Sequence, residues 1–407
     1  MIKLVRKEDC CGCSACVQAC PKGCISMRSD NEGFLYPTIN EKDCIDCGLC
    51  ERVCPVINQN ESHKPLVTYA AMNADDEVRQ KSSSGGVYTL LAEYVIAQGG
   101  VVFGVRFDKE WNPIFDYTET NEGLSLFRGS KYVQAVVGTA YKDAERFLKS
   151  GRKVLLVGTP CQISGLKKYL RRDYENLLTV DFICHGVPSP AVWQLFLKKT
   201  IKKEASSFCK DCKGCMMKSS LNIEIENVAF RDKRLGWRRS VLLLLLLRCS
   251  KSAEPERKRE LCQENDESVF MRWFLQDLIL RPSCYECPTR EGKSASDITM
   301  ADLWGAEHVL EKKDDNRGVS LLMINSEKGK KVWSQIGCKQ EPIDFEKAIA
   351  YNESWSESPI VQPQRKWFFR TYKYLWSRYE DFGEEKQPSY LCRKYKQIKN
   401  RIKKLVR

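Results

Sequence analysis

Cys10, Cys13, Cys16 and Cys20 follow the spacing C-x2-C-x2-C-x3-C with Pro21 next, and Cys44, Cys47, Cys50 and Cys54 repeat it before Pro55. That run grips iron–sulfur cubanes. Three thiolates in a tight loop hold three corners of one cluster, and the fourth, one helical turn on, reaches the other cluster. The assignment is therefore crossed. Cys10, Cys13, Cys16 and Cys54 take one [4Fe–4S] cluster, and Cys44, Cys47, Cys50 and Cys20 take the second. Structural zinc also uses four ligands per site, but without this interleaving or the prolines. Gly12 and Gly48 let the backbone pass close to the sulfurs, while Cys11 and Cys24 fall outside the pattern and read as spare thiols. Two clusters in one short segment make a one-electron wire. The wire needs a donor at one end and an acceptor at the other.

The elements that position this chemistry follow from the rest of the 407 residues, a length that implies two or three domains. The 21 cysteines do not fit a small secreted disulfide scaffold at this length. Residues 1–9 hold no apolar run for a signal peptide, and the longest apolar run, Val241 to Leu247, is too short to cross a bilayer. The reading is a cytoplasmic protein whose cysteines are reduced or metal-bound. The net charge is +13, yet eight Lys or Arg and no acid lie in Arg393–Arg407, so most of the excess belongs to a tail. The body is only mildly basic, which speaks against a nucleic-acid groove.

After a polar linker from Asn58 to Pro65, strands and helices alternate. Strands are expected over Val67–Met72, Val101–Phe107, Val154–Val157 and Leu177–Ile183; helices over Ser84–Gln98 and Thr139–Ser150, after Gly158-Thr159-Pro160-Cys161 to about Arg171, and from Pro190 to about Lys203. Further on, Val228–Arg231, Ser240–Leu247 and Val319–Ile324 read as strands, Lys251–Glu260 as a charged loop, and Val269–Leu280 and Glu327–Ile336 as helices. The fold class is α/β (mixed α+β): a small two-cluster ferredoxin-type domain, a larger α/β body and a helical C-terminal tail.

Several body segments carry a resemblance. They are Ser82-Ser83-Ser84-Gly85-Gly86, Gly129 to Gln134, Gly158-Thr159-Pro160-Cys161-Gln162, and Cys184-His185-Gly186-Val187-Pro188-Ser189-Pro190. Phe230-Arg231-Asp232-Lys233, Arg281 to Cys287, Ser296 to Thr299 and Asp302-Leu303-Trp304-Gly305 join them. Together these segments resemble the beta subunit of coenzyme F420 hydrogenases and dehydrogenases. The resemblance implies a ferredoxin-type domain over residues 1–60, an N-terminal-type domain over 66–150, a C-terminal-type domain over 151–345 and an aromatic, basic tail over 346–407. It also implies FAD and iron–sulfur. Relatives include reductases of chlorophyll-type pigments, so the fold does not name the substrate.

On spacing alone, Ser82–Gly86 reads as a serine-capped helix start. The resemblance makes Ser83, Ser84, Gly85 and Gly86 a pyrophosphate cradle at the positive helix end. Gly158, Thr159, Pro160 and Gln162 sit where a strand turns into a helix, a usual ligand position in an open α/β sheet. Lys131 reads either as a phosphate or flavin partner or as a solvated surface charge. Cys161, Cys184, Cys284 and Cys287 read as ligands of a third [4Fe–4S] cluster near the flavin, or else as ordinary buried thiols. Cys209, Cys212 and Cys215 look like half a ferredoxin motif in an insertion, and His63, His185 and His308 do not form a metal set.

No Walker motif, Rossmann fingerprint or hydrolase constellation is present, and no acid–base residue is assigned. Leu391, Tyr395, Ile398, Ile402 and Leu405 recur at helical spacing among basic residues, a pattern for peripheral contact with the inner face of a membrane, or for an acidic partner. The functional expectation is an iron–sulfur flavoprotein oxidoreductase. It would pass electrons between a ferredoxin-type protein and an organic hydride acceptor, F420-like or another small molecule. The alternative is a non-enzymatic electron-transfer subunit that serves a partner redox enzyme.

Overall fold

The computed structural model describes residues 2–210, 222–239, 241–249, 257–310 and 314–379. Cys212, Cys215 and the tail beyond residue 379, with their expected roles, lie outside the described residues, as does the side chain of Cys209.

The N-terminal segment is built on two short helices, α1 (Ala15–Ala19) and α2 (Leu49–Arg52), each directly after cysteines of one motif. Between them lies an antiparallel hairpin, β1 (Ile25–Ser29) with β2 (Leu35–Ile39). The body follows as β3 (Val67–Met72), α3 (Asp76–Lys81), α4 (Val87–Ile96), β4 (Val101–Phe107), β5 (Pro113–Thr118), α5 (Ala140–Lys149), β6 (Val154–Val157), α6 (Pro160–Leu170), β7 (Leu177–Phe182) and α7 (Pro190–Lys210). Then come β8 (Asn222–Asp232), β9 (Val241–Cys249), β10 (Arg257–Glu264), α8 (Val269–Leu275), β11 (Ile298–Asp302), α9 (Ala306–Val309), β12 (Ser320–Ile324), α10 (Glu327–Trp333), β13 (Lys339–Pro342) and α11 (Phe345–Ile349).

The main sheet has eight strands in the order β13-β3-β12-β11-β7-β6-β4-β5. Its centre, β4, β6, β7 and β11, is parallel, and antiparallel strands finish both sides. A parallel sheet must be covered on both faces, because its crossovers place helices on each. The burial pattern does this. Val154 and Leu156 face α5 and α6 with Tyr141, Phe147, Ile163 and Leu166, while Leu155 turns the other way toward Leu91, Val95 and Trp333 of α4 and α10. The cysteine-rich segment is part of the first of these layers: Cys13, Ala15 and Val53 share a core with Tyr141, Ile163 and Leu166. A Cβ on Gly165 of α6 would lie 2.9 Å from the Cys13 sulfur, so glycine sets how closely the cysteine loop seats on the body.

A separate three-stranded antiparallel sheet has the order β10-β9-β8. The leucine run forms β9, hydrogen-bonded on both sides, with Val241, Leu242, Leu243, Leu244 and Leu246 buried. No helix among the described residues is long and apolar enough to cross a membrane. Two expectations need correction. The last four residues of the stretch read as a charged loop, Arg257 to Glu260, open β10, because each pairs in register with a residue of β9. The helix expected to reach Leu280 stops at Leu275: Asp277 turns left-handed at φ 57°, and its carbonyl accepts a hydrogen bond from the Tyr285 hydroxyl.

Residues from Gln362 on form a second unit. Its described part is α12 (Arg365–Tyr379), on which Phe368, Phe369 and Tyr372 pack against one another.

Candidate redox centre and ligand cavity

Each cysteine loop brings its own sulfurs together and borrows one from the other motif. Cys16 faces Cys10 and Cys54, and Cys13 faces Cys16 and Cys54. Cys20, Cys44, Cys47 and Cys50 line a second hollow together with Cys24, whose sulfur is 3.4 Å from that of Cys20. The cysteines of all three groups, with Cys11 and Cys24, are free of disulfides. Burial and neighbouring thiols push Cys16 up to about 12, so these groups do not ionise together on their own. A cationic iron cage would reverse that. Among the described residues no three His, Cys, Asp or Glu side chains close round a point as a single metal ion requires. Four thiols per site, with no carboxylate or imidazole, fit a cubane.

The third group assembles from three separate places. Cys161 lies in the first turn of α6 and Cys184 just beyond β7. Cys284 and Cys287 belong to the turn Pro282–Glu286 and its end. Backbone pairing brings the parts together: Ser189 N–H donates to Ile279 O at 2.9 Å, Arg281 N–H to Val187 O at 3.0 Å, and Val187 N–H to the Cys284 sulfur at 3.5 Å. Cys184 thereby faces Cys284, Cys161 and Cys287, and burial with these neighbours holds its thiol well above its ordinary range. Burial also pushes Cys284 up to about 12.

Cys11, read as a spare thiol, is buried between the first and third groups. Its sulfur faces both Cys13 and Cys161. Beside it lies Arg281, fully buried. The guanidinium donates to Cys10 O at 2.8 Å, Leu35 O at 2.9 Å and Gln134 Oε1 at 2.9 Å, and sits 4.3 Å over the Tyr36 ring. Gln134 Nε2 in turn donates to Cys11 O. Gly12 has φ +75°, and a Cβ there would come within 2.6 Å of Gln134 and 3.0 Å of Arg281, so only glycine fits between the cysteine loop and this cation.

On the other side of the third group opens a cavity of about 830 Å³, within the size range of cofactor sites. Ser83, Ser84, Gly86, Lys131, Gly158, Thr159, Gln162, Cys184 and His185 all line it. Gly85 and Pro160 are not among its lining residues. The Gly85 N–H is taken by Ser320 Oγ at 3.0 Å, and Pro160 opens α6. Gly86 caps α4 with no side-chain hydrogen bond, which leaves first-turn N–H groups available at the positive helix end. Thr159 and Gln162 form a capping box on α6, which accounts for these two without a ligand.

The cations differ in what they can offer. Lys131 donates to three carbonyls, of Leu126, Arg128 and Gly129, so its ammonium ties down its own loop. Burial pushes it down to about 7. Lys233 does the same for Arg79 O, Ser84 O and Arg317 O and so holds the serine turn from behind. His185 Nε2 pairs with Asp277 at 2.6 Å. Sequence reasoning attached no role to Arg281, Gln134 or Arg231. The signal available for two of them was a charged residue inside an otherwise apolar or cysteine-bearing segment.

A family model for the C terminus of the coenzyme F420 hydrogenase/dehydrogenase beta subunit matches residues 151–347. The corresponding N-terminal model matches residues 68–141. The chain belongs to this beta-subunit family. A 4Fe-4S dicluster domain model matches residues 9–58, so this family member is an iron–sulfur protein of the electron-transfer type. The chain is similar to the coenzyme F420 hydrogenase subunit beta of Methanosarcina barkeri, 28% identical over 108 residues, which are 26% of this chain and 37% of that protein. It is also similar to the coenzyme F420-dependent sulfite reductase of Methanocaldococcus jannaschii, 29% identical over 109 residues, 26% of this chain and 17% of that protein. The chain thus matches well under half the length of either curated relative. Among solved structures, the xenon-derivatised F420-reducing [NiFe] hydrogenase complex from Methanosarcina barkeri aligns at a TM-score of 0.42 and 17% identity, over 72% of this chain and 91% of that one. At that score the likeness carries no argument.

Proposed function

We propose that this family member is an iron–sulfur flavoprotein oxidoreductase that passes electrons between a ferredoxin-type partner and an organic two-electron acceptor. One observation carries the reading. The third thiol group lies between the first cluster's cysteines, which it meets through Cys11, and the cavity, which Cys184 lines. Electron carriers in contact with a ligand-sized cavity are what a cofactor reductase needs.

The residues fit the groups in named roles. Cys10, Cys13, Cys16 and Cys54 would hold one [4Fe–4S] cluster, Cys20, Cys44, Cys47 and Cys50 the second, and Cys161, Cys184, Cys284 and Cys287 the third. FAD would occupy the cavity, its pyrophosphate at the α4 N-terminus beside Ser83 and Ser84. A bound flavin supplies the exchange between single electrons and two-electron chemistry. The chain's own part is to bind and orient. Lys233 fixes the Ser84 turn, Lys131 fixes the Leu126–Gly129 loop, and Ser83 Oγ accepts from the Ser130 N–H at 2.8 Å and so joins the two walls. Cys161, Cys184 and Cys284 are only partly exposed, which limits the water that reaches the third group.

The test is anaerobic mixing with a reduced bacterial ferredoxin, followed by flavin absorbance. Bleaching of a protein-bound flavin supports the proposal. A protein that accepts electrons at its clusters, holds no flavin and passes electrons only to a partner enzyme is the non-enzymatic subunit instead.

A further inference from the structure

Among the described residues that line the cavity, Arg231 is the cation with buried N–H groups that no protein group accepts. Arg128, Lys131, Arg231 and Arg238 line it, against the carboxylates Asp302 and Glu353. Lys131 spends its three donors on carbonyls. Arg238 pairs with Glu307 and Asp314. Arg231 is different. Its side chain is 8% exposed, and Nη1 donates to Asp302 Oδ2 at 2.8 Å. Its Nε and Nη2 are buried and have no partner.

Nε and Nη2 form one straight edge of the guanidinium, and two parallel N–H groups on that edge match the two oxygens of a carboxylate, phosphate or sulfite. The edge is held in place from both sides. Asp302 fixes one end, and the Trp304 ring lies 5.2 Å below the guanidinium carbon, itself stacked on Trp237 at 4.9 Å. Asn265 Oδ1, on the same cavity wall and also without a partner, offers an acceptor. Buried donors without partners cost stability, so an edge kept in this state points to a ligand that completes it.

We propose that the Nε–Nη2 edge of Arg231 docks an oxyanion of the organic acceptor, with Asn265 receiving a hydrogen bond from that molecule. This deepens the reading above and rests on it, since the cavity is taken as the flavin and acceptor site. With the flavin's pyrophosphate taken at the α4 N-terminus, as in the reading above, Arg231 is left for the second ligand.

The experiment uses the anaerobically purified full chain and the variants Arg231→Met and Arg231→Lys. Thermal unfolding is followed in sodium phosphate and in sodium acetate against chloride of equal ionic strength, with iron and flavin measured on each sample. Expected is oxyanion protection of the wild type that weakens about 10- to 100-fold in apparent affinity in Arg231→Met, iron and flavin being retained. Arg231→Lys, which keeps the charge without the fork, should recover part of it and covers the case in which the methionine variant misfolds. Equal protection of wild type and both variants, with flavin retained, overturns the proposal. Loss of flavin with iron retained assigns the oxyanion to the flavin's pyrophosphate and overturns the acceptor assignment. A wild type without flavin that still shows Arg231-dependent protection overturns the flavin reading and leaves the oxyanion site standing.

Discussion

The Arg281 guanidinium donates from Nε to the carbonyl of Cys10 at 2.8 Å, and Arg281 stands three residues before Cys284. One buried cation therefore joins the loop of the first cysteine group to the turn that carries the third. Its acceptors are all neutral, and among the described residues it has no carboxylate partner. A buried unpaired charge is costly, and a bound cluster with its thiolates would be the anion that offsets it.

Arg281→Met should lower the reduction potentials of the clusters at the first and third cysteine groups, because removing a nearby positive charge disfavours the more negative, reduced form. The cluster at Cys44, Cys47, Cys50 and Cys20 should keep its potential. A redox titration followed by electron paramagnetic resonance reads all three. Equal shifts at every cluster, or none, would count against this role for Arg281.

Cys284→Ser should remove about four of about twelve irons while both N-terminal clusters stay. Cys284 comes to Cys184 only through tertiary pairing, so its loss should not disturb the loops at residues 10–20 and 44–54. Iron and acid-labile sulfide per chain check this. An unchanged iron content would mean that the third group is an ordinary set of buried thiols.

Gly165→Val should loosen the seat of the cysteine loop on α6. The new Cβ would meet the Cys13 sulfur at 2.9 Å, and overpacking of this kind costs about 1–3 kcal/mol. Iron loss is expected at the Cys10, Cys13, Cys16 and Cys54 site first. The signal of the second cluster should survive, which electron paramagnetic resonance of the reduced protein would show.

Lys131 gives a pH dependence with a defined sign. Its folded value, about 7, lies below the ordinary lysine value of 10.5. Between these two values the unfolded chain holds a proton that the folded chain has released, so this group's contribution to stability rises with pH from about 7 to 10.5. Lys131→Met should flatten that part of the rise in thermal unfolding under anaerobic conditions. An anion in the cavity favours the protonated lysine, so its affinity should fall as pH climbs through about 7. An affinity that increases over the same interval would reverse the sign.

How much of this was legible along the chain depended on whether the cause was local. The doubled C-x2-C-x2-C-x3-C spacing is a local code, and the crossed placement of Cys54 beside Cys16 follows from it. The parallel strands were legible as short apolar runs between helix signals, Val154–Val157 above all. Cys161, Cys184 and Cys284 come from three separate segments, so only the family resemblance suggested that they meet. β10 was missed because its stability comes from pairing with the leucine strand and not from its own charged residues. Arg281 and Arg231 were missed as functional groups because burial of a charge depends on neighbours far away in sequence, Cys10 in one case and Asp302 in the other. Lys131 was expected as a phosphate partner or a surface charge, and its three carbonyl contacts are a product of loop geometry that spacing does not encode.

The central claim is a relay of clusters that ends at a flavin. The most direct test is to purify the chain without oxygen and measure iron, acid-labile sulfide and released flavin per molecule. About twelve irons and one flavin are expected. About eight irons and no flavin would contradict the account and leave a two-cluster relay whose chemistry belongs to a partner.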